Sequence, residues 1–207
     1  ILQLLKIKKK SLNMRFQSTK NIDENLRKIW NSDKTILRQL MYEIRDLPSF
    51  YNFITNKKIL NISKYLLGSK MIDACHDACM IRIDTKQDTK RKWDWHQDYT
   101  YILGSNPGIT GWIPIKDVSM DMGPVKLIPK SNRKISKVKI KNKKIMPLKY
   151  EDLKIKNKKI FETEIFCGDV MLFDGLCWHA SGTNNTNRAR WIVLPRYSNP
   201  LEKSFAK

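Results

Sequence analysis

From Ser32 onward, apolar positions recur at helical spacing. Ile36, Leu37, Leu40, Met41 and Ile44 fall on one stripe, the three-to-four-residue recurrence of an amphipathic helix. Ser32 or Asp33 supplies a side-chain oxygen for its open N-terminal amides. Leu47-Pro48 breaks that helix, because the residue before proline is pushed out of helical conformation, and Pro48 suits the first turn of the next. Phe50, Phe53 and Ile54 form the second stripe. Ile59, Ile62, Leu66 and Leu67 continue in a further short helix, which Gly68 stops. Residues 1–20 are basic and polar with little periodicity and read as a loosely attached arm. The first third is therefore mainly helical.

After Gly68 the period shortens to two. Residues 79–84 half-alternate as a strand, and a charged loop over 85–92 leads into a strand predicted over 93–101. Asn106-Pro107-Gly108 marks a turn before a strand over 109–115. Asp121-Met122-Gly123-Pro124 marks another before a strand over 125–128, closed by Pro129. Residues 130–160 are Lys-rich with alternating Ile and read as an elaborated loop with one strand. Further strands are predicted over 161–166, 170–173, 177–181 and 189–197. Many short strands separated by turns indicate an antiparallel sandwich or barrel, mainly β, with the early helices packed on one outer face. The expected organisation is one domain: an arm and helices over 1–70, and a β core over 71–207.

The 207 residues suffice for one domain with a real core. No apolar run is long enough to span a membrane, so no membrane partner is expected. The chain opens on Ile rather than Met, which fits a processed form or a fragment. Four cysteines (Cys75, Cys79, Cys167, Cys177) lack both zinc-site spacing and the density of a disulfide scaffold, and a reducing cytoplasm is the expected location. The formal charge of +20 admits an anionic partner or substrate. The positive residues are spread over the whole chain, however, which favours a solvated surface over a nucleic-acid site.

The chemistry-bearing residues sit in two short stretches. Trp93-Asp94-Trp95-His96-Gln97-Asp98-Tyr99 contains a His-x-Asp pair, and a distant His179 is followed by Arg188 and Arg190. Two imidazoles and a carboxylate with open coordination positions are the ligand set of a non-haem Fe(II) centre. On a strand, His96 and Asp98 would share a face; so would Asp94, and periodicity alone does not choose between the two carboxylates. His76-Asp77 is set aside, because adjacent strand residues point to opposite faces. Such a metal can bind a 2-oxo acid whose second carboxylate needs a fixed cation. Arg190 follows His179 by eleven residues and alternates in step with Ile192 and Leu194, so its planar fork would project inward. Arg188 falls in the preceding turn.

Five segments together resemble the phytanoyl-CoA dioxygenase family. They are Trp95-His96-Gln97-Asp98-Tyr99, Thr110-Gly111-Trp112-Ile113-Pro114-Ile115, the run from Met122 to Ser131, Gly168-Asp169-Val170, and Trp178-His179-Ala180-Ser181-Gly182. The resemblance implies a double-stranded β-helix core (a jelly-roll, cupin-like) and Fe(II)/2-oxoglutarate-dependent dioxygenase chemistry: hydroxylation of a small organic substrate by O2, with succinate and CO2 as co-products. It makes His96, Asp98 and His179 the iron ligands and Arg190 the partner of the 2-oxoglutarate carboxylate. Ser181 looks like an auxiliary donor to that carboxylate, and Arg82 a further contact for co-substrate or substrate. The family usually shows Gly-Ser-His after the strand that ends in Pro; here the run is Pro129-Lys130-Ser131-Asn132-Arg133.

Aromatic residues crowd the first ligand pair, and Trp93, Tyr99 and Trp112 are the candidate substrate-pocket walls. Trp95 should face away from His96. The Lys-rich insert carries thirteen Lys and Arg between Lys130 and Lys159; a solvated basic loop is the first reading, a lid or docking surface for an anionic substrate the second. Two other functions compete with the oxygenase. One is a basic nucleic-acid-binding protein; the other is a barrel that keeps the metal site without turnover.

Overall fold

The computed structural model describes residues 22–86, 92–102, 104–135, 139–141, 144–146, 148, 150–153 and 159–204. Four helices open it: α1 (Ile22–Ser32), α2 (Lys34–Arg45), α3 (Pro48–Ile54) and α4 (Lys57–Leu67). Asp33 caps α2 by accepting from the Thr35 amide at 2.8 Å, and Pro48 occupies the first turn of α3. Asn56 caps α4, which ends at Gly68 in the left-handed conformation (φ 60°), a backbone that glycine adopts without steric cost. Helix α1 begins ten residues before the sequence stripe at Ser32. Leu26, Ile29 and Trp30 bury its inner face, and Asp23 Oδ1 accepts from the Ala189 amide at 3.1 Å, docking its first turn on the sheet. The arm expected over 1–20 lies outside the described residues.

Among the described residues ten strands follow: β1 (Asp73–Ala74), β2 (Met80–Asp84), β3 (Gly108–Pro114), β4 (Val125–Leu127), β5 (Lys139–Lys141), β6 (Lys144–Met146), β7 (Met171–Asp174), β8 (His179–Ser181), β9 (Arg190–Leu194) and β10 (Arg196–Ser198). All pairings among the described residues are antiparallel. In the larger sheet β3 pairs with β7 along one edge and with β10 and then β9 along the other, while β2 extends β9 and β1 extends β10. The strand predicted over 189–197 is thus split at Pro195, which has no amide to give the ladder. Gly111 donates its amide to the Pro195 carbonyl at 2.8 Å, and a Cβ at 111 would lie 2.7 Å from the Pro195 ring. Only glycine permits that approach.

The smaller sheet pairs β4 with β8, and bridges at His96–His179 and Leu127–Phe161 widen it. Two predicted strands shrink here. Residues 161–166 make only bridges, Phe161 to Leu127 and Ile165 to Val118. Residues 93–101 bridge at Trp95 and His96 and then turn into a one-turn helix, α5 (Tyr99–Ile102). The cause is Gln97, whose carboxamide donates to the carbonyls of Leu176 (2.6 Å) and Lys134 (3.0 Å) and pins the chain before it can extend. The Lys-rich insert holds the β5–β6 hairpin rather than one strand. Its Leu148 bridges Trp95, and Leu153 packs with Trp95, Ile128, Trp178 and Ala180. The lid expected of this insert falls largely outside the described residues.

Alternation along β2 and β9 divides the core. Ile81, Ile83, Trp191 and Val193 face the helices and pack with Leu26, Ile29, Leu37, Leu40, Ile44 and Ile54. Each fully buried aliphatic side chain contributes about 2 kcal/mol by leaving water. The opposite face, with Ile192 and Leu194, turns toward Val125 and Leu127 of the smaller sheet and toward Cys177. The helices therefore seal the back of the larger sheet, and the site lies in front of it.

Candidate metal centre and co-substrate pocket

Mutual backbone hydrogen bonds of 3.0 Å join His96 to His179, so the two histidines stand directly opposite each other. Their rings are 4.1 Å apart. His96 Nδ1 lies 2.7 Å from the Asp94 carbonyl and His179 Nδ1 lies 2.9 Å from the Cys177 carbonyl. A carbonyl only accepts, so each Nδ1 carries a proton, and each ring turns its Nε2 inward. Both Nε2 atoms face the same oxygen: Asp98 Oδ1 is 3.4 Å from His96 Nε2 and 3.6 Å from His179 Nε2. All three donor atoms lie within 4.8 Å of one another. Ligands at about 2.1 Å on one face of an ion are separated by roughly 3 Å, so the donor set fits a six-coordinate metal with positions left open.

The second carboxylate oxygen is held from behind. Asp98 Oδ2 accepts from Thr110 Oγ1 at 2.7 Å and from Arg196 Nε at 3.1 Å. Burial works to raise the Asp98 carboxyl, but Arg196 and the two imidazoles outweigh it and leave it well below the usual carboxylate range. Burial, reinforced by His179, holds His96 below its ordinary value, which keeps its Nε2 lone pair available. Asp94 contributes its backbone carbonyl, while its Oδ1 accepts from the Trp95 amide at 3.1 Å. His76 sits on a turn outside the cluster.

The cluster opens on a cavity of about 370 Å³. Arg190, Ile192 and Leu194 line it from β9, Arg82 and Asp84 from β2, Ser181 from β8. Arg190 is 4% exposed. Its Nη1 donates to the carbonyls of Met122, Gly123 and Gly182, and its Nη2 to Asp84 Oδ2 at 2.8 Å. Its Nε is buried without a partner among the described residues. Arg82 donates to Asp84 Oδ1 at 2.9 Å and to Ser181 Oγ at 3.3 Å. Burial would push the Asp84 carboxyl up, yet the guanidinium groups of Arg82 and Arg190 prevail and bring it down to about 2. This corner, with a buried Arg190 Nε that has no partner among the described residues, fits a further carboxylate. Arg188 lies outside the cavity lining, where it donates to Ser119 Oγ.

Trp93, Trp112, Tyr101, Ile102, Val125 and Phe173 give the cavity an apolar wall, and Asp77, Ala78 and Met80 also line it. Tyr99 is placed elsewhere: it borders a smaller void beside Ser105 and Ile109. The turn of α5 rotates it away and brings Tyr101 to the cavity, where that ring lies 5.7 Å from His96 and 4.9 Å from Trp93. Trp95 faces the opposite side, among Ile128, Trp178 and Ala180. Sequence reasoning missed Thr110, Arg196, Asp84 and Tyr101. Arg196 was within reach, because it continues the inward period of 190, 192 and 194 across Pro195. Asp84 required the β2–β9 register, in which it stands opposite Arg190.

Facing antiparallel sheets with a His/Asp/His cluster between them define a double-stranded β-helix with a candidate metal centre. A model of the phytanoyl-CoA dioxygenase (PhyH) family matches residues 8–192, and the chain belongs to that family. Solved structures share the fold at low identity. The epimerase SnoN, in complex with Fe3+, alpha ketoglutarate and nogalamycin RO, is 15% identical with a TM-score of 0.59, covering 74% of this chain and 59% of SnoN. EctD from S. alaskensis, with 2-oxoglutarate and 5-hydroxyectoine, is 21% identical with a TM-score of 0.58, covering 80% and 58%. EvdO2 from Micromonospora carbonacea var. aurantiaca, complexed with 2-oxoglutarate, is 17% identical with a TM-score of 0.55, covering 80% and 66%. The chain thus spans less than two thirds of the length of these structures. No curated protein matches it. No helix among the described residues is long and apolar enough to cross a membrane.

Proposed function

We propose that this chain is an Fe(II)- and 2-oxoglutarate-dependent dioxygenase that hydroxylates a C–H bond of a small organic substrate. The observation that carries the reading is the convergence of His96 Nε2, His179 Nε2 and Asp98 Oδ1, each fixed from behind by a hydrogen bond at its other polar atom. These three residues would hold the metal. When bound, the metal and 2-oxoglutarate together activate O2, giving succinate, CO2 and a hydroxylated product.

The chain's own residues bind, orient and exclude. Arg190, with Arg82 and Ser181 beside it, receives the far carboxylate of the co-substrate, because a guanidinium fork pairs with a carboxylate through two parallel hydrogen bonds. Thr110 and Arg196 keep Asp98 Oδ2 engaged, so that Oδ1 alone is presented. Trp93, Tyr101, Trp112 and Phe173 give the cavity a largely apolar aromatic wall, which suits an apolar part of the substrate near the metal. No disulfide joins the cysteines among the described residues, in keeping with a reducing, cytoplasmic setting.

The test is an anaerobic titration with Fe(II) and 2-oxoglutarate, followed by a small-molecule screen scored by O2-dependent succinate. Saturable binding of both, abolished by His96→Ala or Asp98→Ala, is expected, and 18O2 should label the product hydroxyl. A protein that binds Fe(II) but never forms succinate would be a binding module instead. Succinate with no label in the product would point to an outcome other than hydroxylation.

A further inference from the structure

The corner that receives the co-substrate already contains a carboxylate. Asp84 stands opposite Arg190 in the β2–β9 register, and Arg82 shares its face of β2 two residues earlier. One carboxylate therefore bridges two guanidinium groups, Oδ2 to Arg190 Nη2 at 2.8 Å and Oδ1 to Arg82 Nη2 at 2.9 Å. Arg190 Nη1 is committed to backbone carbonyls. Among the described residues, Nε has no partner, and Asp84 takes one of the two Nη2 hydrogens; these two nitrogens are what a ligand would meet.

Resting on the functional reading above, we propose that Asp84 is an internal carboxylate that competes with the far carboxylate of 2-oxoglutarate for Arg190 and so sets co-substrate affinity. On binding, the incoming carboxylate takes Nη2 and Nε of Arg190, and Asp84 retains Arg82. Asp84 stays ionised at neutral pH, since its carboxyl lies at about 2, so the competitor is always charged. It also repels the arriving anion across a buried, weakly screened corner. A merely structural role has the opposite sign: if Asp84 served to hold Arg190 in place, removing its charge would loosen the fork and weaken binding.

The experiment uses the full chain loaded with Mn(II), titrated calorimetrically with 2-oxoglutarate and with 2-oxopentanoate, which chelates identically but lacks the far carboxylate. Asp84→Asn is expected to tighten 2-oxoglutarate by about tenfold, equivalent to about 1.4 kcal/mol, and to leave 2-oxopentanoate unchanged. Unchanged or weaker 2-oxoglutarate binding, in a variant that still takes 2-oxopentanoate, overturns the proposal while sparing the functional reading. If the native protein binds Mn(II) but neither acid, both fall together. Should Asp84→Asn fail to fold, the native chain decides. In its complex with Mn(II) and 2-oxoglutarate, Asp84 is expected to have left Arg190, and a contact retained at the present distance overturns the exchange.

Discussion

Asp98 shows how a single side chain is divided between two tasks. Oδ1 faces the imidazoles, while Thr110 and Arg196 occupy Oδ2. Thr110→Val preserves shape and removes one of these anchors. It is expected to weaken metal binding by roughly tenfold, within the range for groups that orient a ligand, as read by competitive metal titration. Lys130 is a different case. It adopts φ 60°, a left-handed backbone that side chains resist, at the place where the family usually shows Gly. Lys130→Gly is expected to stabilise the protein by about 0.5–1 kcal/mol, measured as a shift in denaturant midpoint. The departure from the family pattern, visible in the sequence, thus has a local backbone cost. The neighbouring Asn132 donates to Asp174 Oδ2 at 2.8 Å. Asp84 carries part of the acid dependence. Its carboxyl is depressed from 3.8 to about 2, so its contribution is fully present above about pH 4 and lost as the pH falls through 2. That contribution is about 2 kcal/mol. Denaturant unfolding followed from pH 6 to pH 2 should show a steeper loss for the native chain than for Asp84→Asn.

Elements were legible where one periodicity governed them. The α2 stripe and the ends of α3 and α4 followed from spacing, proline and glycine, because these helices each bury a single face. Leu40 is fully buried between α2 and the sheet. Leu40→Ala is expected to cost about 2–5 kcal/mol while leaving the metal affinity of the folded fraction unchanged, checked by paired melting and metal titration. The helix α1 escaped because its stripe of Leu26, Ile29 and Trp30 is short and follows a long basic segment. The strand over 93–101 failed for a tertiary reason: Gln97 is tied to two carbonyls distant in sequence, Leu176 and Lys134. His96 and Asp98 nevertheless reach the same point, the first from a bridge and the second from the start of α5. The period-two argument placed them on one side by a route the chain does not take. The identity of the pocket aromatics suffered from the same turn, which exchanges Tyr101 for Tyr99.

At the scale of the whole molecule, the segments resembling the family lie along two facing sheets, which is why the jelly-roll could be read before any pairing was known. The ion pairs of Asp84 with Arg82 and Arg190 could not, since cross-strand register is invisible in one sequence. Helices and sheet share one cluster of buried side chains, so a single unfolding transition, coincident by fluorescence and circular dichroism, is expected. The charge of +20 has no counterpart in the cavity, where Asp84 offsets part of the arginine charge. Polyanion binding by this surface should be insensitive to His96→Ala and fall steeply with added salt.

The pairing of His96 with His179 has one more consequence. These histidines come from segments far apart along the chain, brought edge to edge by two backbone bonds. An ion seated there would act as a rivet across that bridge. Occupancy then becomes part of the protein's thermal resistance: at metal concentrations a hundredfold above Kd, the folded state gains about 2.7 kcal/mol. Chelators should lower the melting temperature of the native chain and have no effect on His179→Ala.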